Sequence, residues 1–151
     1  KFNAKKVKAL GADGTFLNHS AHKLKFNDVV KFVNIANKFR LKVILFAPSI
    51  KFVKRVINNK QLRGKIYSIA FETPKLIGTG KSITKYNGKE VVKFVKLLKG
   101  SKIIPVCGAG ISTINDIKQA KKLGCKGVAI SSAIAKINLK KAEELLKEIK
   151  K

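Results

Sequence analysis

Glu72 is the side chain in this sequence best placed to do acid–base chemistry. It directly follows an apolar run, 66–71, and precedes a short loop with proline near its start and glycine at its end. A carboxylate at the end of a buried strand, beside a hinged loop, is typical of a catalytic base next to a lid. Glu72 is also the only acidic residue between Asp28 and Glu90, in a chain with 34 Lys and Arg against 8 Asp and Glu. The predicted lid consists of Thr73, Pro74, Lys75, Leu76, Ile77, Gly78, Thr79 and Gly80.

His19 is the candidate partner of this base. It lies in Asn18-His19-Ser20, directly after another apolar run. A carboxylate base and an imidazole electrophile together suit the removal of a proton from a carbon next to a carbonyl. A structural histidine bonded to backbone is the other interpretation of this position. No Ser-His-Asp order and no metal-ligand spacing stands out, so we expect neither a metal nor a cofactor.

Two further segments that follow apolar runs resemble a phosphate site. Gly108-Ala109-Gly110 lets backbone approach an anion, and N–H groups at the start of a following helix can hold that anion. Ser131-Ser132 follows the next run along the chain. Phosphate sites in barrel enzymes often lie in two such consecutive loops. A pair of ordinary glycine turns is the alternative.

The elements that would position these residues alternate along the chain. Five short apolar runs, rich in β-branched and aromatic residues, are typical of buried parallel strands. Amphipathic stretches with three- and four-residue apolar spacing fill the gaps and predict helices. We expect Asn27 to cap the first of these and Ser112 to begin a later one. The runs are 15–17, 43–47, 66–71, 103–106 and 128–130.

This alternation predicts an α/β fold with a parallel sheet covered by helices. A doubly wound sheet and a (β/α) barrel both remain open from the pattern alone. The length of 151 residues fits one domain, and no stretch approaches the roughly 20 apolar residues of a membrane span. Cys107 and Cys125 lack metal or redox spacing, which predicts buried thiols in a reducing cytoplasm.

The formal charge of +26 is extreme and raises the question of nucleic-acid binding. The lysines are scattered over every segment and form no single stripe, which favours solvated helix faces over a dedicated nucleic-acid surface. Non-specific binding to polyanions at low salt is still expected.

Four ordered blocks resemble triosephosphate isomerase, most closely its short archaeal type. The blocks are 11–20, containing the histidine; 71–80, containing the carboxylate and lid; 106–113, containing Gly-Ala-Gly; and 124–133, ending in the serine pair. The carboxylate–lid block is highly specific, and the blocks together span nearly the whole chain. The resemblance implies an eight-stranded TIM barrel, of which this single-domain chain, 1–151, supplies the fourth to eighth strands. It identifies the chain as a fragment lacking the first three βα units, in agreement with a sequence that begins with Lys1 and contains no Met.

The resemblance also implies the chemistry. Members interconvert glyceraldehyde 3-phosphate and dihydroxyacetone phosphate, a step of glycolysis and gluconeogenesis, in the cytoplasm and as homodimers or homotetramers. Glu72 would move the proton and neutral His19 would polarise the carbonyl. The residues implied to bind the substrate phosphate are Gly78, Gly108, Ala109, Gly110, Ser131 and Ser132.

The chain departs from the family pattern in three places. The family's first βα unit carries an active-site Asn and Lys that are not found here. Ala21 stands where the family usually has a Glu that holds this Lys, and Thr73 stands where the family tends to have the first of two prolines. Ala21, the absent Lys and the charge of +26 motivate the alternative of a degenerate barrel that binds phosphate or polyanions without isomerising a substrate.

Overall fold

The computed structural model describes residues 3–135 and 138–150. Its backbone alternates between strands and helices as the sequence pattern predicts. The five strands are β1 (Gly14–Leu17), β2 (Lys42–Ala47), β3 (Ser68–Phe71), β4 (Ile104–Cys107) and β5 (Gly127–Val128). The helices are α1 (Ala4–Ala9), α2 (Phe26–Lys38), α3 (Ile50–Ile57), α4 (Ile83–Tyr86), α5 (Gly88–Leu98), α6 (Ile114–Lys122), α7 (Ser132–Ala135) and α8 (Leu139–Lys150). Short 3-10 turns occupy Ser20–His22, Lys60–Leu62 and Pro74–Leu76.

All five strands are parallel and are ordered β1-β2-β3-β4-β5. A doubly wound sheet reverses its strand order partway along, whereas this sheet keeps the order of the chain. The sequential order is that of a (β/α)8 barrel, of which the chain supplies five βα units. Within the described residues β1 and β5 each pair with one neighbour only, so the sheet is an open segment with two free edges.

The two faces of the sheet differ in their cover. One face packs against the helices, and its side chains on the central strands, such as Leu45, Ile69 and Phe71, are fully buried. Phe71 stacks on Phe94 of α5, with ring centroids 5.2 Å apart. We call the opposite face the inner face, and its rows are set by register: Phe16, Ile44, Ser68 and Ile104 lie side by side.

Three details of the sequence prediction needed correction. The first amphipathic helix, α2, is not capped by Asn27, because the Lys25 carbonyl already accepts from the N–H groups of Asp28 and Val29, which places Asn27 inside the first turn. Helix α6 begins at Ile114 and not at Ser112, since the Thr113 side chain caps it. Strand β5 covers Gly127–Val128 and not 128–130, because these two residues are the ones that pair with Val106 and Cys107 of β4.

No helix among the described residues is long and apolar enough to cross a membrane. Cys107 and Cys125 are both buried free thiols, as predicted.

Candidate active site

Glu72 is held at the carboxyl end of the central strand. Its N–H donates to the Ala47 carbonyl at 3.1 Å, which continues the β2–β3 ladder by one residue. The side chain is only 8% exposed, and its Oε2 atom is buried without a hydrogen-bond partner among the described residues. Desolvation by this burial raises the pKa of Glu72 from 4.5 to about 7. A carboxylate without partners in a dry site is a stronger base than one in water.

Gly108 provides the space that the Glu72 carboxylate occupies. Its N–H donates to the Phe71 carbonyl at 3.0 Å, so Gly108 lies beside Glu72 across the β3–β4 pair. A Cβ at position 108 would lie 2.6 Å from Glu72 Oε1 and 3.0 Å from the Ala129 methyl. The requirement for glycine here is therefore steric, because the carboxylate needs the volume that any side chain would fill.

The predicted lid, 73–80, leads directly away from Glu72. Pro74–Leu76 forms a 3-10 turn, and Gly78 and Gly80 both have positive φ, a conformation that favours glycine. The Thr79 hydroxyl donates to the Leu76 carbonyl at 2.9 Å and accepts from the Lys81 N–H at 3.2 Å. The segment is thus a compact loop closed by its own hydrogen bonds.

A small cavity of about 30 Å³ lies between Glu72 and this loop. Such a volume holds about one water molecule. The lining residues are Asn18, Ser20, Lys23, Phe46, Ala47, Pro48, Glu72, Pro74 and Ile77.

His19 lies at the tip of β1, next to this cavity but not among its lining residues. The side chain is exposed, and its ring packs edge-on against Phe46 with centroids 4.8 Å apart. Its Nδ1 accepts from the Ala21 N–H at 3.3 Å, so the ring proton lies on Nε2. An Nε2–H group is the donor that a carbonyl oxygen would need.

Asn18 is a cavity residue that sequence reasoning missed. Its backbone has φ of 61°, a left-handed conformation that Asn adopts more readily than most residues. Its Nδ2 donates to the Phe46 carbonyl and its Oδ1 accepts from the Leu24 N–H, both at 2.9 Å. These bonds tie the loop carrying His19 to β2. The available signal was an Asn at the strand end, a position where left-handed turns occur.

The candidate phosphate loop, 108–110, lies against the far end of the lid. Ala109 and Gly110 both have positive φ, and the Ala109 carbonyl accepts from the Ile83 N–H at 3.0 Å. A Cβ at Gly110 would lie 2.1 Å from the Lys81 carbonyl oxygen, so the two backbones touch. Ser131 follows β5 at the same edge of the sheet and is exposed, and Ser132 begins α7. The predicted phosphate residues are thus distributed over two adjacent loops and the lid.

Asp116 organises the loop that follows Gly110, and sequence reasoning missed it as well. Its Oδ2 accepts from the N–H groups of Ser112 at 3.1 Å and Thr113 at 3.0 Å and from the Thr113 hydroxyl at 2.8 Å. Partial burial acts to raise the pKa of Asp116, but hydrogen bonds from Ser112, Thr113 and Ser82 outweigh it and hold the pKa below its usual range. The Thr-x-x-Asp spacing of a capping box was the signal.

Cys107, which precedes Gly108, is not an accessible nucleophile. A hydrogen bond with Cys125, together with burial, raises the pKa of the Cys107 thiol well above its ordinary value. A buried thiol that stays protonated is a packing residue of the helix-covered face.

Comparison with known proteins gives one consistent result. The family model described as triosephosphate isomerase matches residues 1–148. The chain is 35% identical over 147 residues to the triosephosphate isomerase of Pyrobaculum islandicum, covering 95% of this chain and 62% of that protein. It is 33% identical to the triosephosphate isomerase of Methanocaldococcus jannaschii, covering 97% of this chain and 64% of that protein. The chain therefore spans less than two thirds of the length of these relatives.

Solved structures of other proteins share the fold. The Amycolatopsis orientalis BexX/CysO complex contains a chain that matches with a TM-score of 0.66 at 13% identity, covering 97% of this chain and 60% of that one. A flavocytochrome b2 variant with pyruvate bound matches with a TM-score of 0.64 at 16% identity, covering 96% of this chain and 44% of that one. At such identities the likeness concerns the architecture alone.

Proposed function

Because the chain belongs to the triosephosphate isomerase family, we propose that the protein interconverts glyceraldehyde 3-phosphate and dihydroxyacetone phosphate. The observation that carries this proposal is the buried Glu72 carboxylate, whose Oε2 has no hydrogen-bond partner in the described part of the chain, beside a loop with glycine hinges. Its pKa of about 7 suits a group that must both take and return a proton near neutral pH.

In the proposed reaction Glu72 removes a proton from the carbon next to the substrate carbonyl. The Nε2–H of His19 donates to the carbonyl oxygen, where negative charge develops as that C–H bond breaks. His19 gives the Nε2 proton to this oxygen and takes up the proton of the neighbouring hydroxyl, and Glu72 returns its proton to the carbon that carried the carbonyl. The carbonyl and hydroxyl thereby exchange places with no net gain or loss of atoms. The Nδ1 bond from Ala21 supports this role, because it leaves Nε2 as the nitrogen that carries the proton.

The lid would open to admit substrate and then close over it. Pro74 and Ile77 of the lid line the cavity of about 30 Å³ together with Glu72, which supports a lid that acts at this carboxylate. We propose that the Gly78 N–H reaches the substrate phosphate upon closure and that Gly108, Ala109, Gly110, Ser131 and Ser132 complete the cradle. The contact between Gly110 and Lys81 supports a shared movement of lid and cradle.

We further propose that the five βα units are the fourth to eighth units of the barrel, and that three more units close it. The two free sheet edges support this closure, as does Phe16, which is 68% exposed on the inner face. An eight-stranded barrel would remove both edges. The buried free thiols support a cytoplasmic location, and we expect a homodimer or homotetramer by analogy with the family.

The test is an isomerisation assay of the protein purified from its native source, together with its Glu72→Gln variant. Gln keeps the size of the side chain but cannot accept the proton, so we expect kcat to fall by roughly 10²–10⁴-fold. KM should change little, because the phosphate contacts remain. Glu90→Gln is the matched control, since Glu90 lies on α5 in an ion pair with Lys93 at 2.7 Å. Unchanged turnover in Glu72→Gln would overturn the proposal, and absence of activity in the native protein would favour the degenerate barrel.

A further inference from the structure

A hydrogen bond joins the first residue of the lid to the start of α5. Asn87 Nδ2 donates to Thr73 Oγ1 at 2.6 Å, across 14 residues of sequence, in a half-buried setting. Thr73 directly follows Glu72, so this bond acts one residue away from the carboxylate. It fixes the point at which the chain leaves the sheet and the lid begins.

The side chain of Asn87 bonds to Thr73 and does not cap helix α5. It occupies the N-cap position of α5, where an Asn side chain ordinarily accepts from the helix backbone. Here the side chain makes no capping bond, and only its backbone carbonyl accepts, from Glu90 N–H at 3.0 Å and Val91 N–H at 3.2 Å. The amide is therefore directed to the lid and not to the helix.

Helix α5 is a rigid base for this contact. Its residues Val91 and Phe94 are fully buried, and Phe94 stacks on Phe71, the residue that precedes Glu72. Helix α5 and its N-cap therefore contact both neighbours of Glu72 in the chain: Phe94 stacks on Phe71, and Asn87 bonds to Thr73. A side chain held at two flanking points keeps its direction better than one held at a single point.

Thr73 is a position that benefits from an external restraint. The sequence has Thr where the resemblance leads one to expect proline, whose ring fixes φ near −65°. Thr73 has φ of −86° and ψ of 112°, close to the conformation that a proline would impose. A threonine alone does not enforce this conformation, and the bond from Asn87 supplies the missing restraint.

We propose that Asn87 is a positioning residue whose amide holds Thr73 and thereby sets the place of the Glu72 carboxylate when the lid closes. This inference rests on the proposed isomerase function. It assigns to Asn87 and Thr73 together the task that a proline ring would perform at the start of the lid.

The first test is the Asn87→Ala variant of the native protein, with Asn59→Ala as the matched control. Asn59 Oδ1 does cap its 3-10 turn, accepting from the Gln61 N–H at 2.9 Å, and Asn59 is not among the cavity residues. We expect Asn87→Ala to lower kcat roughly 10- to 100-fold with KM nearly unchanged and Tm little affected. Asn59→Ala should lower Tm without changing kcat. Equal kcat in wild type and Asn87→Ala would overturn the proposal.

The second test uses Thr73. Thr73→Val removes the acceptor while keeping the shape, so its loss in kcat should not add to that of Asn87→Ala in the double variant. Thr73→Pro in the Asn87→Ala background should restore most of the activity, because the ring fixes φ and no described hydrogen bond uses the Thr73 N–H. Additive losses, or no recovery with proline, would show that Asn87 does not act through Thr73.

Hydrogen exchange separates failure of this inference from failure of the proposed function. If the native wild type does not isomerise triose phosphates, the function fails, and the amides of Leu76, Ile77 and Thr79 still report on the lid, because each donates within it. Faster exchange of these amides in Asn87→Ala, but not in Asn59→Ala, would support the restraint. Identical exchange in all three proteins would overturn it.

Discussion

The tips of strands β3 and β1 carry the two side chains predicted to do acid–base chemistry, and their surroundings are opposite. Glu72, at the tip of β3, is 8% exposed, and its Oε2 is buried with no hydrogen-bond partner among residues 3–135 and 138–150. His19, at the tip of β1, is exposed and does not line the cavity. β3 has a strand on each side, whereas β1 is an edge. Of these two side chains, only Glu72 follows a strand that is paired on both sides, and Gly108 at the end of β4 leaves the space that its carboxylate occupies.

The inner face shows the same contrast. Ser68 and Ala70 of β3, the strand with a neighbour on each side, are buried on this face. Phe16 on β1 shares their face and is 68% exposed. Its ring contacts Phe46 at 5.7 Å and otherwise points into open space of about 370 Å³. On the inner face, the side chains of the central strand are thus buried, whereas the aromatic side chain on the β1 edge is largely exposed to solvent.

The largest expected effect compares two phenylalanines in these regions. Phe71→Ala should lower the free energy of unfolding by about 3–5 kcal/mol, because it removes a buried ring stacked on Phe94. Phe16→Ala should cost less than about 1 kcal/mol in this chain, because most of the ring is already in water. Urea unfolding of both variants measures the difference. An equal cost would break the comparison and would mean that another segment covers Phe16 in solution.

A smaller effect is expected from two glycines of the inner face. Gly108→Ala should displace the Glu72 carboxylate and lower kcat about 100-fold, since the new methyl would lie 2.6 Å from Oε1. Gly127→Ala is the control, because its methyl would meet only a Val106 methyl at 3.2 Å. The measurement is kcat of the native protein carrying each change, compared with that of wild type. Similar losses in both variants would show that crowding of the sheet, and not contact with Glu72, is the cause.

The sequence was sufficient for the position of Glu72 but not for its environment. A lone acid after an apolar run in a basic chain identified the carboxylate, and the strand–helix alternation identified its sheet. Burial of that carboxylate depends on Gly108 and Ala129, which lie 36 and 57 residues further along the chain and approach it only through strand pairing. Local pattern carries no information on such contacts.

The same limit explains the residues that were missed. An Asn that precedes a helix is usually its cap, and only the fold shows that the amide of Asn87 bonds to Thr73 instead. Asp116 carried a recognisable capping box, but its contact with Ser82 joins two separate loops. Conversely, Asn27 had the right residue type for a cap but lies two residues after the actual N-cap, Lys25. Residue type predicts what a side chain can bond, and the fold decides which partner it meets.

The smallest expected effect is a pH dependence that belongs to the β3 tip alone. As the base, Glu72 must be ionised, so kcat/KM should fall about tenfold per pH unit below a pKa of about 7.

The raised pKa of Glu72 also makes the free energy of unfolding depend on pH. Between pH 4.5 and about 7 the folded state holds a proton on Glu72 that the unfolded chain has released, so stability decreases as pH rises through this window. Glu72→Gln should remove that decrease and leave the protein more stable than wild type at pH 8 but not at pH 4. Urea unfolding of both proteins at the two pH values measures this difference in the free energy of unfolding. If wild type and variant showed the same pH dependence, the carboxylate would be hydrated in solution, and the contrast between the central tip and the edge tip would not hold.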